Sequence, residues 1–430
     1  MAPGEKDLGG APFGLIGRRL AHSWSKQIHE RLGSSPYALL ELEPEEVGPF
    51  VRERRWRGLN VTIPYKLEAA RLADVRSPAV ERTGAANTLV RSDDGTIVAE
   101  NTDVLGFAWM LERFCRERLG RSSRAALADR KVLVLGSGGA SQAVVDALAH
   151  EIGARPVVVS RSGDETYATL VERHADAVLL VNTTPVGMFP SCPASPVDEA
   201  DLARLTGLTG VLDVVYNPMR TGLVLAAERL GLPAEGGLSM LVAQAFYASA
   251  LFQARDLDDT LVARIERELL GRMENVVLIG MPGAGKTSCG RELARLLGRP
   301  FVDLDDAFAL EHGRSAAQVI EEDGEAAFRL LETETTERYG ARSGLVIACG
   351  GGVVTRAENY DLLHQNGRIV FLDRPLAELS SEGRPVSRDL GIERLAAARM
   401  ETYRRWADLT LACTGSAAGD AEALVALLAG

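Results

Sequence analysis

The segment Gly280-Met-Pro-Gly-Ala-Gly285-Lys286-Thr287 fits the spacing GxxxxGK[ST] of a loop that wraps phosphates. In such a loop, backbone N–H groups approach phosphate oxygens, the lysine reaches the β- and γ-phosphates, and the hydroxyl can join a magnesium ion. Gly283, Ala284, Gly285, Lys286, Thr287 and Ser288 are therefore the candidate ATP-binding residues. An ordinary glycine-rich turn would need neither Lys286 nor Thr287. Downstream, PFVDLDD sets Asp303 and Asp305 two residues apart at the end of an apolar run. On a strand that spacing puts both carboxylates on one face. One of the two could hold the magnesium shell and the other could meet an acceptor hydroxyl. Without the phosphate loop the same residues would read as a solvated acidic turn, and Asp306 still does.

A second turn, Gly136-Ser-Gly138-Gly139-Ala140-Ser141, has the form that receives a dinucleotide pyrophosphate. The next apolar run ends in Ser160-Arg161-Ser162, a cation with hydroxyls where an NAD site usually has an acid. That set suits a 2′-phosphate, hence NADP(H). Lysine occupies only five positions among 48 basic residues, so each retained one invites a chemical reason. Lys66 closes GLNVTIPYK, and Asp103 lies in ENTDVLGF. A lysine beside a carboxylate can deliver a proton to a carbonyl oxygen as hydride arrives; by spacing alone, a surface ion pair is the commoner outcome. Ser23 and Ser25 in HSWS could merely cap a helix. Gly350-Gly351-Gly352, after the strand LVIACG, could be only a loop or could let backbone amides touch a small polar substrate, while Arg329, Arg384 and Arg399 persuade little by spacing, because arginine is the default cation here.

Both glycine turns sit between a β-branched run (KVLVLG, NVVLIG) and an amphipathic segment, the start of a parallel α/β unit. PFGLIG and GLNVTIP precede the first turn as strands; VVVSR, AVLLVNTTP and GVLDVVY follow it. A helical stretch is expected from Leu238 to Leu270, then a short polar turn near Gly271–Glu274, with GDAEALVALLAG as a last helix. The fold class is α/β throughout. A substrate-binding domain is expected over 1–110 with 240–272, a Rossmann domain over 111–239, and a phosphate-loop kinase domain over 273–430.

Composition narrows the function. At 430 residues the chain exceeds one ordinary core. A net charge of -11 argues against nucleic-acid partners, and no apolar run approaches the ~20 residues of a membrane helix. The N-terminus lacks the basic start and apolar core of a secretory signal. Five scattered cysteines without CxxC read as reduced thiols in a cytoplasm, and six histidines without HExxH spacing hold no zinc.

Over residues 12–250 the ordered motifs GLIGRRLAHSWSKQIH, GLNVTIPYK, GAANTL, ENTDVLGF, GSGGAS, SRS, NTTPVGM, DVVYNP and GGLSMLVAQA resemble shikimate dehydrogenase. Over 274–430, GMPGAGKTSCGRELA, FVDLDD, DGEAAFR, the glycine triplet, GRP and ARMETYRRWA resemble shikimate kinase. The first resemblance implies that Lys66 and Asp103 are catalytic. It implies that Ser23, Ser25, Thr62, Asn87, Gln244 and Tyr216 bind substrate. Gly136, Gly138, Gly139, Ala140, Ser141, Ser160, Arg161 and Ser162 would cradle NADP(H), with Met188 and Gly237 near the nicotinamide. The second implies that Asp305, Arg329 and Arg399 bind the acceptor, that Asp305 and Lys286 are catalytic, that Asp303 serves magnesium, and that a lid Arg384 is catalytic. The family's glycine triplet, here Gly350, Gly351 and Gly352, would touch the substrate. Departures are Lys26 where a proline is usual, Ser160 where an asparagine is usual, and a lid, FLDRPLAELSSEGRP, that is shorter than usual.

The expectation is a bifunctional cytoplasmic enzyme acting on small molecules: NADPH-dependent reduction of 3-dehydroshikimate, then MgATP-dependent phosphorylation of shikimate. An NAD-dependent quinate/shikimate dehydrogenase is the alternative that Ser160-Arg161 opposes. A catalytically dead regulator is opposed by Lys66, Asp103, Lys286 and Asp305.

Overall fold

The computed structural model describes residues 7–20, 23–379 and 391–429. Three sheets organise them. The first contains β1 (Phe13–Gly17), β2 (Tyr37–Glu41), β3 (Gly58–Val61), β4 (Val75–Arg76), β5 (Thr88–Arg91) and β6 (Ile97–Glu100) in the order β2-β1-β3-β5-β6-β4. It is mixed: β1 runs parallel to β2 and β3, while β5 is antiparallel to both β3 and β6.

The second sheet, β7 (Lys131–Leu135), β8 (Arg155–Val159), β9 (Leu179–Asn182), β10 (Gly210–Asp213) and β11 (Ala234–Glu235), is wholly parallel in the order β11-β10-β9-β7-β8. β9 and β10 are buried at every residue, as strands covered on both faces must be. The order reverses direction between β7 and β9, so a crevice opens beyond their carboxyl ends, where the first glycine turn lies. The third sheet, β12 (Asn275–Ile279), β13 (Phe301–Asp303), β14 (Val346–Ala348), β15 (Gly367–Asp373) and β16 (Leu409–Ala412), is again parallel, ordered β13-β14-β12-β15-β16. β12, buried at all five residues, delivers the second glycine turn from the sheet's centre.

Two expectations are corrected. The helical stretch from Leu238 is two helices, Leu238–Gln253 and Thr260–Met273, broken where Ala254 takes a left-handed conformation at φ +49. The second runs through the expected polar turn, so β12 follows its end almost directly. Gly271 and Arg272 are helical because the amphipathic period continues to Met273, which is buried. Likewise, β13 stops at Asp303, and Asp305 lies in the first turn of helix Leu304–His312. Asp303 caps that helix by accepting the Asp305 N–H, an arrangement that ends a strand more favourably than extending it.

By packing, the chain divides into two compact units. One is Met1–Val186, Ser195–Tyr216 and Ala226–Leu269; the other is Gly187–Ala194, Asn217–Leu225 and Leu270–Gly430. Within the first, Glu266 and Glu268 of helix Thr260–Met273 pair with Arg113 and Arg31. Within the second, Met219 and Arg220 donate backbone N–H groups to the Asn366 side chain and the Gln365 carbonyl.

His29 is fully buried in the first unit, stacked on Tyr37 at 4.4 Å, and neither ring nitrogen has a hydrogen-bond partner among the described residues. Burial pulls its pKa from 6.5 down to about 3. The unfolded chain takes a proton on this residue near 6.5, the folded one only near 3. Stability is therefore present above the unfolded value and lost as pH falls through this window, by about 2 kcal/mol at pH 5. His29→Phe should flatten the acid limb of urea-unfolding stability measured between neutral pH and about pH 5; an unchanged slope would contradict a buried neutral ring.

Candidate active sites

In the first unit, Lys66 opens helix Lys66–Leu72 just after β3, and Asp103 lies in the first turn of helix Thr102–Leu119 just after β6. The two strand ends bring Lys66 Nζ to 2.6 Å from Asp103 Oδ2, with the side chains 23% and 15% exposed. The pair is sheltered enough to be more than a surface ion pair, yet open to a small molecule. Asp103 Oδ1 accepts from Asn87 Nδ2 at 2.9 Å, and the same nitrogen lies 3.4 Å from Gln244 Oε1. Asn87 is held in this orientation because its oxygen accepts the Thr102 N–H at 2.7 Å. Four residues from four separate motifs thus form one polar cluster.

Ser23 and Ser25 are half-buried beside the start of helix Ser25–Arg31. They do not cap it in the expected manner: the N-cap is Trp24, and the Ser23 hydroxyl accepts the Ser25 N–H at 3.2 Å. Thr62, half-buried, follows β3 and bonds through its backbone to Ile16. Tyr216 is half-buried after β10, and burial raises its phenol pKa. Lys26, standing where a proline is usual, donates to Glu30 and to the Tyr37 carbonyl.

The first glycine turn links β7 to helix Gly139–Asp146, with Gly136 N–H bonded to the Val159 carbonyl of β8. A side chain grown on Gly138 or Gly139 would meet nothing within 4 Å, so the helix N-terminus is accessible to a pyrophosphate. Ala140 and Ser141 continue this first helical turn, and Ser141 is buried. At the end of β8, Ser160 is buried while Arg161 and Ser162 are exposed. An accessible glycine turn with the exposed Arg161 cation and Ser162 hydroxyl at the neighbouring strand end fits NADP(H). Gly237 is tied to this sheet through its N–H on the Val215 carbonyl. Met188 is 48% exposed and belongs by packing to the second unit.

In the second unit, the phosphate loop runs from Gly280 to helix Lys286–Leu297. Lys286 is buried, its ammonium donating to the Gly280 and Met281 carbonyls at 2.9 and 3.0 Å. Gly283 and Gly285 both have positive φ, 89° and 92°, a backbone that favours glycine. Thr287 and Ser288 are exposed at the helix start. The Thr287 hydroxyl bonds Asp303 Oδ2 at 2.7 Å, which pairs a hydroxyl with a carboxylate. Oxygen donors in small number suit magnesium, which keeps much of its own water.

The glycine triplet after β14 explains itself by close approach. A Cβ on Gly350 would stand 2.8 Å from Asp305 Oδ1, one on Gly351 2.7 Å from Pro282, and one on Gly352 2.1 Å from Arg329. Asp305, the phosphate loop and Arg329 therefore converge on this turn. Arg399 is buried and donates to the Gly351 carbonyl at 3.0 Å. Arg384 lies outside the described residues.

Two residues at this site were not singled out from sequence. Glu332 is buried beside Arg329, accepting from it at 2.7 Å; burial raises its carboxyl pKa, Arg329 opposing and Asp305 adding to the rise. Its signal was present as an i,i+3 pair on helix Glu325–Gly340. Tyr403 donates its hydroxyl to the Gly351 carbonyl, and burial pushes that phenol up to about 12.

Residues 15–89 match the family model "Shikimate dehydrogenase substrate binding domain", and residues 282–428 match "Shikimate kinase". The shikimate dehydrogenase (NADP(+)) of Caldicellulosiruptor bescii is 35% identical over 264 residues, covering 55% of this chain and 88% of that one. That of Oleidesulfovibrio alaskensis is 36% identical, covering 57% and 90%. A chorismate mutase/shikimate 5-dehydrogenase fusion protein from Clostridium acetobutylicum aligns with TM-score 0.54 at 32% identity, over 60% of this chain and 96% of that one. A shikimate 5-dehydrogenase from Thermus thermophilus, solved with NADP(H) and shikimate, aligns with TM-score 0.50 at 30% identity, over 60% and 98%. The polar cluster around Lys66 and the loop around Lys286 thus sit in the two regions that these comparisons recognise: in its N-terminal part the chain belongs to the shikimate dehydrogenase family, and its C-terminal part is a shikimate kinase domain fused to it.

Proposed function

We propose that the chain performs two consecutive reactions on one oxygen atom: NADPH-dependent reduction of the 3-keto group of 3-dehydroshikimate, then phosphorylation of the resulting 3-hydroxyl by MgATP. The observation that carries this reading is that one unit holds the Lys66–Asp103–Asn87–Gln244 cluster and the other holds a complete phosphate loop with Asp303, Asp305, Arg329 and Arg399.

When bound, NADPH supplies the hydride and magnesium screens phosphate charge. Lys66 holds a proton at Nζ and gives it to the carbonyl oxygen, while Asp103 fixes the direction of that ammonium. Asn87 and Gln244 hold neighbouring substrate hydroxyls, with Ser23, Ser25, Thr62 and Tyr216 around them. In the second reaction Asp305 orients the acceptor hydroxyl and draws its proton. Arg329 and Arg399 grip the substrate carboxylate, and Lys286 turns from its own loop carbonyls to the transferring phosphate. Residues 1–110 with 240–272, 111–239 and 273–430 are the proposed functional divisions. All five cysteines are free, and no described helix is long and apolar enough to cross a membrane, which supports a cytoplasmic setting where both nucleotides are supplied.

Arg161 tests the cofactor assignment. A charge-assisted bond to the 2′-phosphate is worth ~1.5–3 kcal/mol, roughly 10- to 100-fold in affinity. Arg161→Ala should raise KM for NADPH by that factor and barely change KM for NADH; equal losses for the two cofactors would overturn it.

A further inference from the structure

Arg374 leaves β15 at the carboxyl end of the third sheet, where β15 pairs with β12 and the phosphate loop begins. Its side chain is 13% exposed and bridges two hydrogen-bond partners, while the exposed Glu378 carboxylate lies 3.7 Å from Nη1. Nε donates to the Ala284 carbonyl at 3.1 Å, inside the phosphate loop, and Nη2 donates to Asp420 Oδ2 at 3.0 Å. Asp420 is 1% exposed, on helix Ala417–Ala429. Its other oxygen accepts from the backbone N–H and hydroxyl of Thr414, in the loop after β16. The chain thus spends a buried ion pair on the outside of a glycine-rich turn.

The peptide joining Ala284 to Gly285 is planar and trans, so its carbonyl and its N–H point in opposite directions. The carbonyl faces Arg374, and behind Arg374 that side is closed by Asp420. The Gly285 N–H therefore faces the other way, toward the side from which a phosphate can approach. Gly285 has φ +92, and its peptide would otherwise turn easily, because glycine tolerates several backbone conformations. A loop whose N–H groups are aimed before binding loses less freedom when phosphate arrives.

We propose that Arg374 is a positioning residue for nucleotide binding: anchored by Asp420, it locks the Ala284–Gly285 peptide with its N–H aimed at the nucleotide phosphates. This rests on the kinase reading of the second unit. It assigns to a residue at the start of the lid segment a part in the phosphate site, without direct contact with substrate.

The test uses the full chain and MgADP as probe, measured by calorimetry, with wild-type shikimate phosphorylation as the control for the kinase reading. Arg374→Met should weaken MgADP by about tenfold and raise KM for ATP with little change in KM for shikimate or in kcat. That variant leaves Asp420 buried without its partner and risks unfolding, so Arg374→Met/Asp420→Asn is made beside it; the Asn oxygen can still accept from Thr414. If the pair serves only the fold, the double variant regains both thermal stability and MgADP affinity. If Arg374 aims the loop, it regains stability while MgADP stays weak. Wild-type affinity in either variant overturns the proposal. Absence of shikimate phosphorylation in a wild type that still binds MgADP would instead strike the kinase reading.

Discussion

Lys66→Ala is expected to lower kcat for NADPH oxidation by 3-dehydroshikimate by about 10²–10⁴-fold, the usual worth of a positioned acid or base. The substitution removes the cation 2.6 Å from Asp103 and leaves the rest of the cluster standing, since Asn87 is held by Thr102 and not by Lys66. The carbonyl oxygen would then receive its proton from water, without orientation. Binding should suffer less than turnover, because Asn87, Gln244 and the flanking hydroxyls remain. Phosphorylation of shikimate by the same preparation should be unchanged, which serves as an internal control for folding. Steady-state kinetics of both activities on one sample decide the matter. Near-normal NADPH oxidation would remove Lys66 from the proton path.

Asp305→Asn is the counterpart in the second unit, with a similar expected loss of about 10²–10⁴-fold in kcat for phosphoryl transfer. Asp305 crowds the glycine triplet: a Cβ on Gly350 would stand only 2.8 Å from its Oδ1 and 3.1 Å from a Glu332 carboxylate oxygen. An amide in its place keeps the shape but cannot take the hydroxyl proton. The phosphate loop and its Lys286 are untouched, so equilibrium binding of MgADP should stay within roughly twofold. A variant that keeps wild-type turnover would put the acceptor elsewhere, and one that loses MgADP binding as well would make Asp305 part of the loop's architecture.

How far these sites could be read from sequence depends on the kind of constraint that builds them. The phosphate loop is local: eight consecutive residues carry the chemistry, and β12 needs only a β-branched run to precede it. The first glycine turn and Ser160-Arg161 are local in the same sense, each at the end of a parallel strand, the first of them largely buried. The Lys66 cluster is not. Asn87, Asp103 and Gln244 reach it from different elements, so by spacing alone a surface ion pair is the commoner outcome, and only the family pattern draws them together. Asp303 misled because a strand and a helix cap share its sequence signature; the capping hydrogen bond to Asp305 decided between them. The long helical reading past Leu238 missed its break because Ala254 carries no glycine or proline signal, although it adopts a left-handed backbone. Glu332 was legible as a partner three residues from Arg329, but burial gave it its importance. Arg374 offered no signal at all, since one arginine among so many is informative only once its partners are seen.

The central claim is that one chain reduces and then phosphorylates the same oxygen. The most direct measurement is to incubate the intact protein with 3-dehydroshikimate, NADPH and MgATP and to follow the products by mass spectrometry with time. The account predicts shikimate 3-phosphate, formed with one NADPH oxidised and one ATP consumed per product, and accumulation of shikimate when ATP is left out. Oxidation of NADPH without any phosphorylated product in the presence of MgATP, or phosphorylation of supplied shikimate with no reduction of 3-dehydroshikimate, would contradict it.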